Sequence, residues 1–362
     1  MAKLDVLRGY IQDLRNAGKR VVTWSFQYNL SSYYLASCAD QILLLTGGEI
    51  GPLGITHEYI FLAEALDKIG VKAEFVQITP YKSAGDMFTK NQLTEEVQQM
   101  GNWLAEATWD QIVTAVASGR GIEQIKVKEI LDKTPCTDLE AKELGFVDEL
   151  LSEDDLPIYL GSKDQPVNLK LWNTALRQMP RNRPRKPGKY VALMGIEGMI
   201  VDGNSQQPPV EPPIPIPFGF ERRAGDMSVT QVARRVLADK RAAALVVYVD
   251  SRGGSATASE SMSASLRKVA EKKPVVIVMG SVAASGGYYV ATPGNWIMAQ
   301  PNTITGSIGV LYGKFVIGEM LKKVFITREL ISRGEAALFL DPEEPWSEVQ
   351  RAKIWNSVNR IY

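Results

Sequence analysis

Two residues far apart in the chain have the types needed for nucleophilic chemistry. The first is Ser285, in the run Gly280-Ser281-Val282-Ala283-Ala284-Ser285-Gly286-Gly287-Tyr288-Tyr289. The apolar, β-branched run Val275-Val276-Ile277-Val278-Met279 precedes it and reads as a buried strand, and a helix is predicted from Tyr288 onward. A serine held at such a strand-to-helix turn can face a cleft. The Gly286 amide and the first-turn dipole then lie where a developing oxyanion would need them. The small residues leave room for a substrate backbone. The pattern is not a G-x-S-x-G nucleophile elbow, because Ala283 stands where that motif needs glycine. On the local pattern alone, a small-residue helix start packed against a neighbour explains the stretch equally well.

A serine nucleophile needs a base, and the chain has a single histidine, His57. It follows Gly54-Ile55-Thr56 and reads as a surface or helix-start residue, so the expected base is the usual substitute, a lysine. The second candidate is therefore Lys82, in the loop Thr79-Pro80-Tyr81-Lys82-Ser83-Ala84-Gly85-Asp86, directly after a strand expected over Ala73 to Ile78. Alone, it reads as a solvated loop charge. One histidine excludes a multi-histidine metal site. The two cysteines, Cys38 and Cys136, have no metal-type or redox spacing and read as buried small residues. Neither a cofactor nor a metal is expected.

The elements that would position these residues follow from periodicity. Leu4, Leu7, Ile11 and Leu14 mark a first helix, Val21 to Trp24 and Ile42 to Leu45 two strands, and Phe61 to Ile69 an amphipathic helix. A long helix is expected over 94 to 117, and Thr137 with Glu140 forms a capping box. Arg181-Asn182-Arg183-Pro184-Arg185-Lys186-Pro187 lacks interleaved aromatics and reads as an exposed linker rather than a nucleic-acid patch. A second domain opens with a strand at Tyr190 to Met194, and Pro208 to Pro217 reads as an extended loop. The strand Leu245 to Val249 runs into Asp250-Ser251-Arg252-Gly253-Gly254-Ser255, a turn whose bare glycine amides could bind a carbonyl oxygen. Thr257 and Glu260 are expected to cap the next helix.

The composition sets the frame. Of 362 residues, 45% are apolar and 23% charged, as in an ordinary globular chain of about two domains. Lys+Arg and Asp+Glu both total 41, so there is no global pull towards nucleic acid or an anionic membrane. No run approaches the length of a membrane span, and the N-terminus lacks the shape of a signal peptide.

The two halves repeat one unit. Setting Tyr33-Tyr34-Leu35-Ala36 on Tyr288-Tyr289-Val290-Ala291 puts Ile42 on Ile297, Gly51 on Gly306, Gly54 on Gly309 and Leu66 on Leu321. Further on, Glu96-Val97-Gln98 and Trp103 match Glu348-Val349-Gln350 and Trp355 after a three-residue deletion in the second copy. The copies differ where chemistry would sit. Ser285 falls on Leu30, and Lys82 falls near Arg333-Gly334, where arginine cannot serve as a neutral base. One copy keeps the nucleophile and the other the base, which raises a Ser285–Lys82 dyad well above either residue alone. The first copy lacks counterparts of the strands at 190 to 200 and 245 to 249, and the second lacks the segment matching Ala141 to Asp148. The expectation is a fragment cut at both ends, with an N-terminal repeat over 1–180, a basic linker over 181–188 and a C-terminal repeat over 189–362.

With these residues in hand, the chain resembles the signal peptide peptidase A (protease IV) family in its long two-copy form. The motifs are Asp250-Ser251-Arg252-Gly253-Gly254-Ser255, Ser281 to Tyr289, Thr305-Gly306-Ser307-Ile308-Gly309-Val310 and Tyr81-Lys82-Ser83-Ala84. The resemblance implies an α/β fold, a tandem repeat of Clp protease/crotonase-like ββα units. It implies Ser285 as nucleophile, Lys82 as general base, Ser307 orienting the lysine amine, and the Gly286 and Gly254 amides as oxyanion hole. Arg252 stands where the family often has proline. The resemblance further implies an endopeptidase for cleaved signal peptides and other apolar peptides. The parent would be a membrane-anchored homo-oligomer at the extracytoplasmic or periplasmic face, with no nucleic-acid partner. The alternatives are an acyl-CoA enzyme on a crotonase-like fold and a non-catalytic membrane-associated scaffold.

Overall fold

The computed structural model describes residues 1–78, 80–179, 188–207, 221–334 and 336–362; the basic run 181–187 and the proline-rich run 208–217 lie outside them. The strands are β1 (Val22–Tyr28), β2 (Gln41–Ile50), β3 (Lys72–Gln77), β4 (Cys136–Thr137), β5 (Glu149–Leu150), β6 (Tyr190–Val201), β7 (Arg223–Gly225), β8 (Ala242–Gly254), β9 (Val275–Ala284), β10 (Trp296–Met298), β11 (Ile304–Gly306) and β12 (Leu311–Val316). They fall in two compact units, residues 1–56 with 105–188 and residues 57–104 with 189–362. The segment that carries Lys82 therefore clusters with the segment that carries Ser285.

In the first unit β1 and β2 pair in parallel, joined by the helix Leu30–Ala36. Asn29 and Ser32 form a reciprocal capping box that starts this helix at the end of β1. β2 also pairs with β5 in parallel and with β4 antiparallel. Ile42, Leu43 and Leu44 are consequently sealed from solvent, Ile42 and Leu44 in a core shared with Tyr33, Ile112, Val116 and Phe146. The capping box of Thr137 and Glu140 is present, with the Thr137 amide donating to Glu140 Oε2 at 2.8 Å.

The second unit holds a six-stranded sheet in the order β10-β9-β8-β6-β7, with β11 pairing the later part of β9. Every one of these pairings is parallel. Parallel strands buried between layers read as near-continuous apolar runs, as 245–249 and 275–279 do. Leu245, Val247, Val249, Val275 and Ile277 face a core closed by Met262, Leu266 and Val269 of the helix Ala256–Ala270. The cap of that helix differs from the expected Thr257–Glu260 pair. Ser255 is the N-cap, accepting from the Ala258 amide at 3.2 Å, and Glu260 instead accepts from the Tyr289 hydroxyl at 2.5 Å. β8 runs through Gly254, so the helix starts as soon as the strand ends and leaves the first candidate, Ser255, at the cap position.

The repeat seen in sequence is also a repeat of structure. β1, the helix Leu30–Ala36 and β2 correspond to β9, the helix Gly286–Ala291 and the pair β10 and β11. Gln27 pairs with Glu49 and Tyr28 with Ile50, and the matched residues Val282 and Ile304, Ala283 and Thr305, pair in the same way. The fold is thus α/β, with parallel sheets built from repeated units.

A separate antiparallel pair, β3 with β12, joins a strand from each sequence copy, Val76 opposite Tyr312 and Phe75 opposite Gly313. Phe75, Phe88 and Phe315 pack on this ribbon, with ring centroids 5.2 to 6.3 Å apart. A Cβ at Gly313 would lie 2.2 Å from the Phe75 ring, so glycine there is what admits the phenylalanine.

Core and edge of the parallel sheet are expected to differ in mutational cost. Ile277→Ala in buried β9 should lower unfolding free energy by about 2–5 kcal/mol. Ile297→Ala, in half-exposed β10, should cost less than about 1 kcal/mol. Urea unfolding of the two variants checks the difference.

Candidate active site

Ser285 sits between β9 and the helix Gly286–Ala291, with φ 54° and ψ −120°. This backbone region favours glycine, and holding a serine in it costs on the order of 1–3 kcal/mol. The surroundings fix it. The Ser285 amide donates to the Gly306 carbonyl at 2.8 Å, and its own carbonyl accepts from the Tyr289 amide at 2.9 Å. β8 ends against the same turn. A Cβ at Gly253, where φ is 96°, would lie 2.6 Å from the Gly286 nitrogen and 2.9 Å from Ser285 Cβ. The buried Ser251 holds the end of β8 in place, donating from Oγ to the Gly198 carbonyl at 2.6 Å and accepting from the Gly253 amide at 3.1 Å. The turn is strained and tightly packed although it lacks the G-x-S-x-G pattern.

Lys82 arrives through strand pairing. The β3–β12 ladder is continued by the Ile78 amide, which donates to the Val310 carbonyl at 3.0 Å. This carries the loop after β3 alongside residues 307–309. A Cβ on Gly309 would lie 3.3 Å from Lys82 Cβ and Cγ, so the aliphatic stem of the lysine lies against that glycine. Lys82 is 8% exposed, unlike the solvated loop charge that its local sequence alone suggests. Its Nζ lies 3.0 Å from Ser285 Oγ, 2.8 Å from the Ser307 carbonyl oxygen and 3.1 Å from Ser307 Oγ. No carboxylate accompanies it among the described residues. Burial therefore acts without a compensating charge and pushes the amine below the ordinary lysine range.

Three of the sequence-selected residues, Ser285, Lys82 and Ser307, are thus brought within hydrogen-bonding reach. The two glycines adjoin them. A Cβ on Gly286 would lie 3.3 Å from the Gly254 nitrogen, which puts the two peptide units side by side next to Ser285. Arg252 is exposed, and the pairing of β8 with β6 runs past it to Gly254, opposite Ile200. His57 is exposed and lies in a segment without regular secondary structure, not at a helix start; the helix begins at Ala63. Among the described residues there is no cluster of His, Cys, Asp and Glu that could hold a metal.

The sequence assigned no role to Ser251, Ser259 or Gly309, and to Gly253 only an amide that could bind a carbonyl oxygen. Ser251, Gly253 and Gly309 lay inside the motifs, but their jobs are close approaches that spacing alone does not reveal. Ser259 is fully buried; its Oγ donates to the Ser255 carbonyl at 2.8 Å and would be 2.5 Å from a Cβ on Gly286.

The arrangement has a cost that titrates. Unfolded Lys82 binds a proton at pH values where the folded, buried amine has lost it. Unfolding is therefore favoured by this residue at low pH, and its contribution to stability rises as pH climbs from the folded pKa to the ordinary lysine range. Lys82→Met removes the titration. Denaturant unfolding should find the methionine variant ahead at neutral pH and its lead shrinking as pH rises. A pH-independent difference would contradict the burial.

Comparison with known proteins bears on this geometry. The profile of "Peptidase family S49" matches residues 13–160 and 267–362. "Protease 4" of Haemophilus influenzae is 30% identical over 99% of this chain, covering 59% of its own length. "Serine protease SPPA, chloroplastic" of Arabidopsis thaliana is 27% identical over 98% of this chain and 52% of its own length. "Protease 4" of Salmonella typhi is 29% identical over 83% of this chain and 48% of its own. The chain thus spans less than two thirds of the length of each of these relatives. A solved enoyl-CoA hydratase/isomerase family member overlaps 20% of this chain and 36% of its own, with 15% identity and a TM-score of 0.19, too little to argue from. With a family profile covering most of both sequence copies, this chain belongs to peptidase family S49.

Proposed function

We propose that the chain is a serine endopeptidase working through a Ser285–Lys82 dyad. The observation that carries this reading is the 3.0 Å approach of Lys82 Nζ to Ser285 Oγ in a buried setting, with no carboxylate beside it among the described residues. Depressed by desolvation, Lys82 supplies a free amine that takes the Ser285 proton as Oγ attacks the scissile carbonyl. The negative charge that develops on the carbonyl oxygen is met by the Gly286 and Gly254 amides. Lys82, now an ammonium, returns the proton to the leaving amine as the C–N bond breaks. Water then attacks the acyl-serine, again losing its proton to Lys82, and the released Ser285 recovers its hydroxyl. Ser307, whose carbonyl and hydroxyl oxygens both face Nζ, orients the amine. Because Ser285 is pre-set in its strained turn, little side-chain ordering remains at the moment of attack.

The substrates, by the family resemblance of the motifs, are cleaved signal peptides and other apolar peptides. The same resemblance supports a homo-oligomer attached to a membrane at its extracytoplasmic face. Among the described residues no helix is long and apolar enough to cross a membrane.

The pH dependence of peptide hydrolysis tests the dyad. The rate should rise as a single group deprotonates, with its midpoint below the ordinary lysine range, and His57→Ala should leave that inflection in place. Lys82→Arg, which keeps a charge that cannot be shed, should cost at least ~10³-fold in kcat. A histidine-like inflection that disappears in His57→Ala would sink the proposal.

A further inference from the structure

The internal repeat identifies two segments that align with paired strands of the other copy but themselves form no strand among the described residues. The correspondence between copies extends past the helices Ala63–Ile69 and Gly318–Lys323 into their C-terminal turns. In the first copy the Gly70 amide donates to the Asp67 carbonyl at 2.9 Å and the Val71 amide to the Leu66 carbonyl at 2.8 Å. In the second, Phe325 donates to Lys322 at 3.1 Å and Ile326 to Leu321 at 2.9 Å, in the same pattern. Gly70 and Phe325 both have positive φ, 83° and 60°. The unchanged alignment then places residues 327–332 on β3, with Glu329, Leu330 and Ile331 on Glu74, Phe75 and Val76. It places residues 56–61 on β12, with Ile60 on Phe315.

In the folded chain, β3 of the first copy pairs with β12 of the second. Their counterparts, 327–332 and 56–61, belong to no strand among the described residues. Both carry exposed apolar side chains, Ile60 at 57% and Ile331 at 93%. Unpaired strand-forming edges of this kind are templates for association.

We infer that residues 327–332 of one molecule pair antiparallel with residues 56–61 of a second copy of this chain, in the register of β3 with β12. Glu58 then lies opposite Leu330, His57 opposite Ile331 and Ile60 opposite Arg328. The side chains suit that register. Phe75 demands glycine at position 313, whereas the smaller Leu330 faces Glu58, which carries a Cβ. Leu330 and Ile60 are diagonal neighbours on one face and replace the Phe75–Phe315 edge contact, whose ring centroids are 6.3 Å apart. The contact is head-to-tail, since the two molecules contribute different segments. It specifies the homo-oligomer of the proposed function and rests on that part of the reading alone, not on the peptidase chemistry.

Mixed cross-linking of the full chain tests the pairing. Glu58→Cys and Leu330→Cys are made as separate proteins, mixed, and oxidised with diamide, which takes up the two thiol hydrogens as the disulfide forms. Directly opposed residues of an antiparallel pair lie within disulfide reach. A cross-linked dimer of mixed composition, confirmed by mass, is expected from the mixture and from neither protein alone. Mixing Glu58→Cys with Ile331→Cys, a one-residue slip that turns the thiol to the other face, should give at least tenfold less. No adduct in the first mixture, or equal adduct in the slipped mixture or in either single protein, overturns the inference. Fluorophosphonate labelling of the same samples reads the Ser285 chemistry separately, so failure of one is not failure of the other.

Discussion

The site depends on one interaction, the antiparallel pairing of β3 with β12. It joins a strand from each sequence copy, and it draws the loop after β3 along residues 307–309. Without it Lys82 would be an ordinary solvated loop lysine, charged at neutral pH. With it, the amine is buried beside two serines, with no carboxylate beside it among the described residues, and desolvation lowers its proton affinity below the ordinary lysine range. Position and proton affinity are thus set by the same packing event.

That packing has costs elsewhere. Ser285 is held in a backbone region suited to glycine, and Lys82 is kept out of water; both are destabilising, of order a few kcal/mol together. The parallel sheet absorbs them. β9 is anchored on β8 along its length, β11 grips its end, and the Gly306 carbonyl holds the Ser285 amide. Glycines at 253 and 309 remove the side chains that would otherwise occupy the space taken by the serine turn and the lysine stem.

Much of this was legible in the sequence because the signals were redundant. The buried strand before Ser285 and the small-residue turn after it agreed with one another. The repeat then linked a serine in one copy with a lysine in the other, and the structure brings Lys82 and Ser285 together in one compact unit. Other features were not legible. The cap of the helix after Gly254 fell on Ser255 rather than Thr257, because β8 extends five residues beyond the apolar run that marked it. Nor could spacing show that Gly309 lies on the Lys82 stem or that Ser251 ties down the glycine turn. Those are contacts between segments far apart in the chain, decided by backbone approach rather than by periodicity.

The most direct measurement is covalent labelling by a fluorophosphonate probe, read by intact mass, in the wild-type chain and in Ser285→Ala and Lys82→Ala. One adduct per chain, lost in both variants, is the result expected of a serine activated by a buried lysine 203 residues away in sequence. Labelling that survives in Lys82→Ala, or no labelling of the folded wild-type chain, would contradict it.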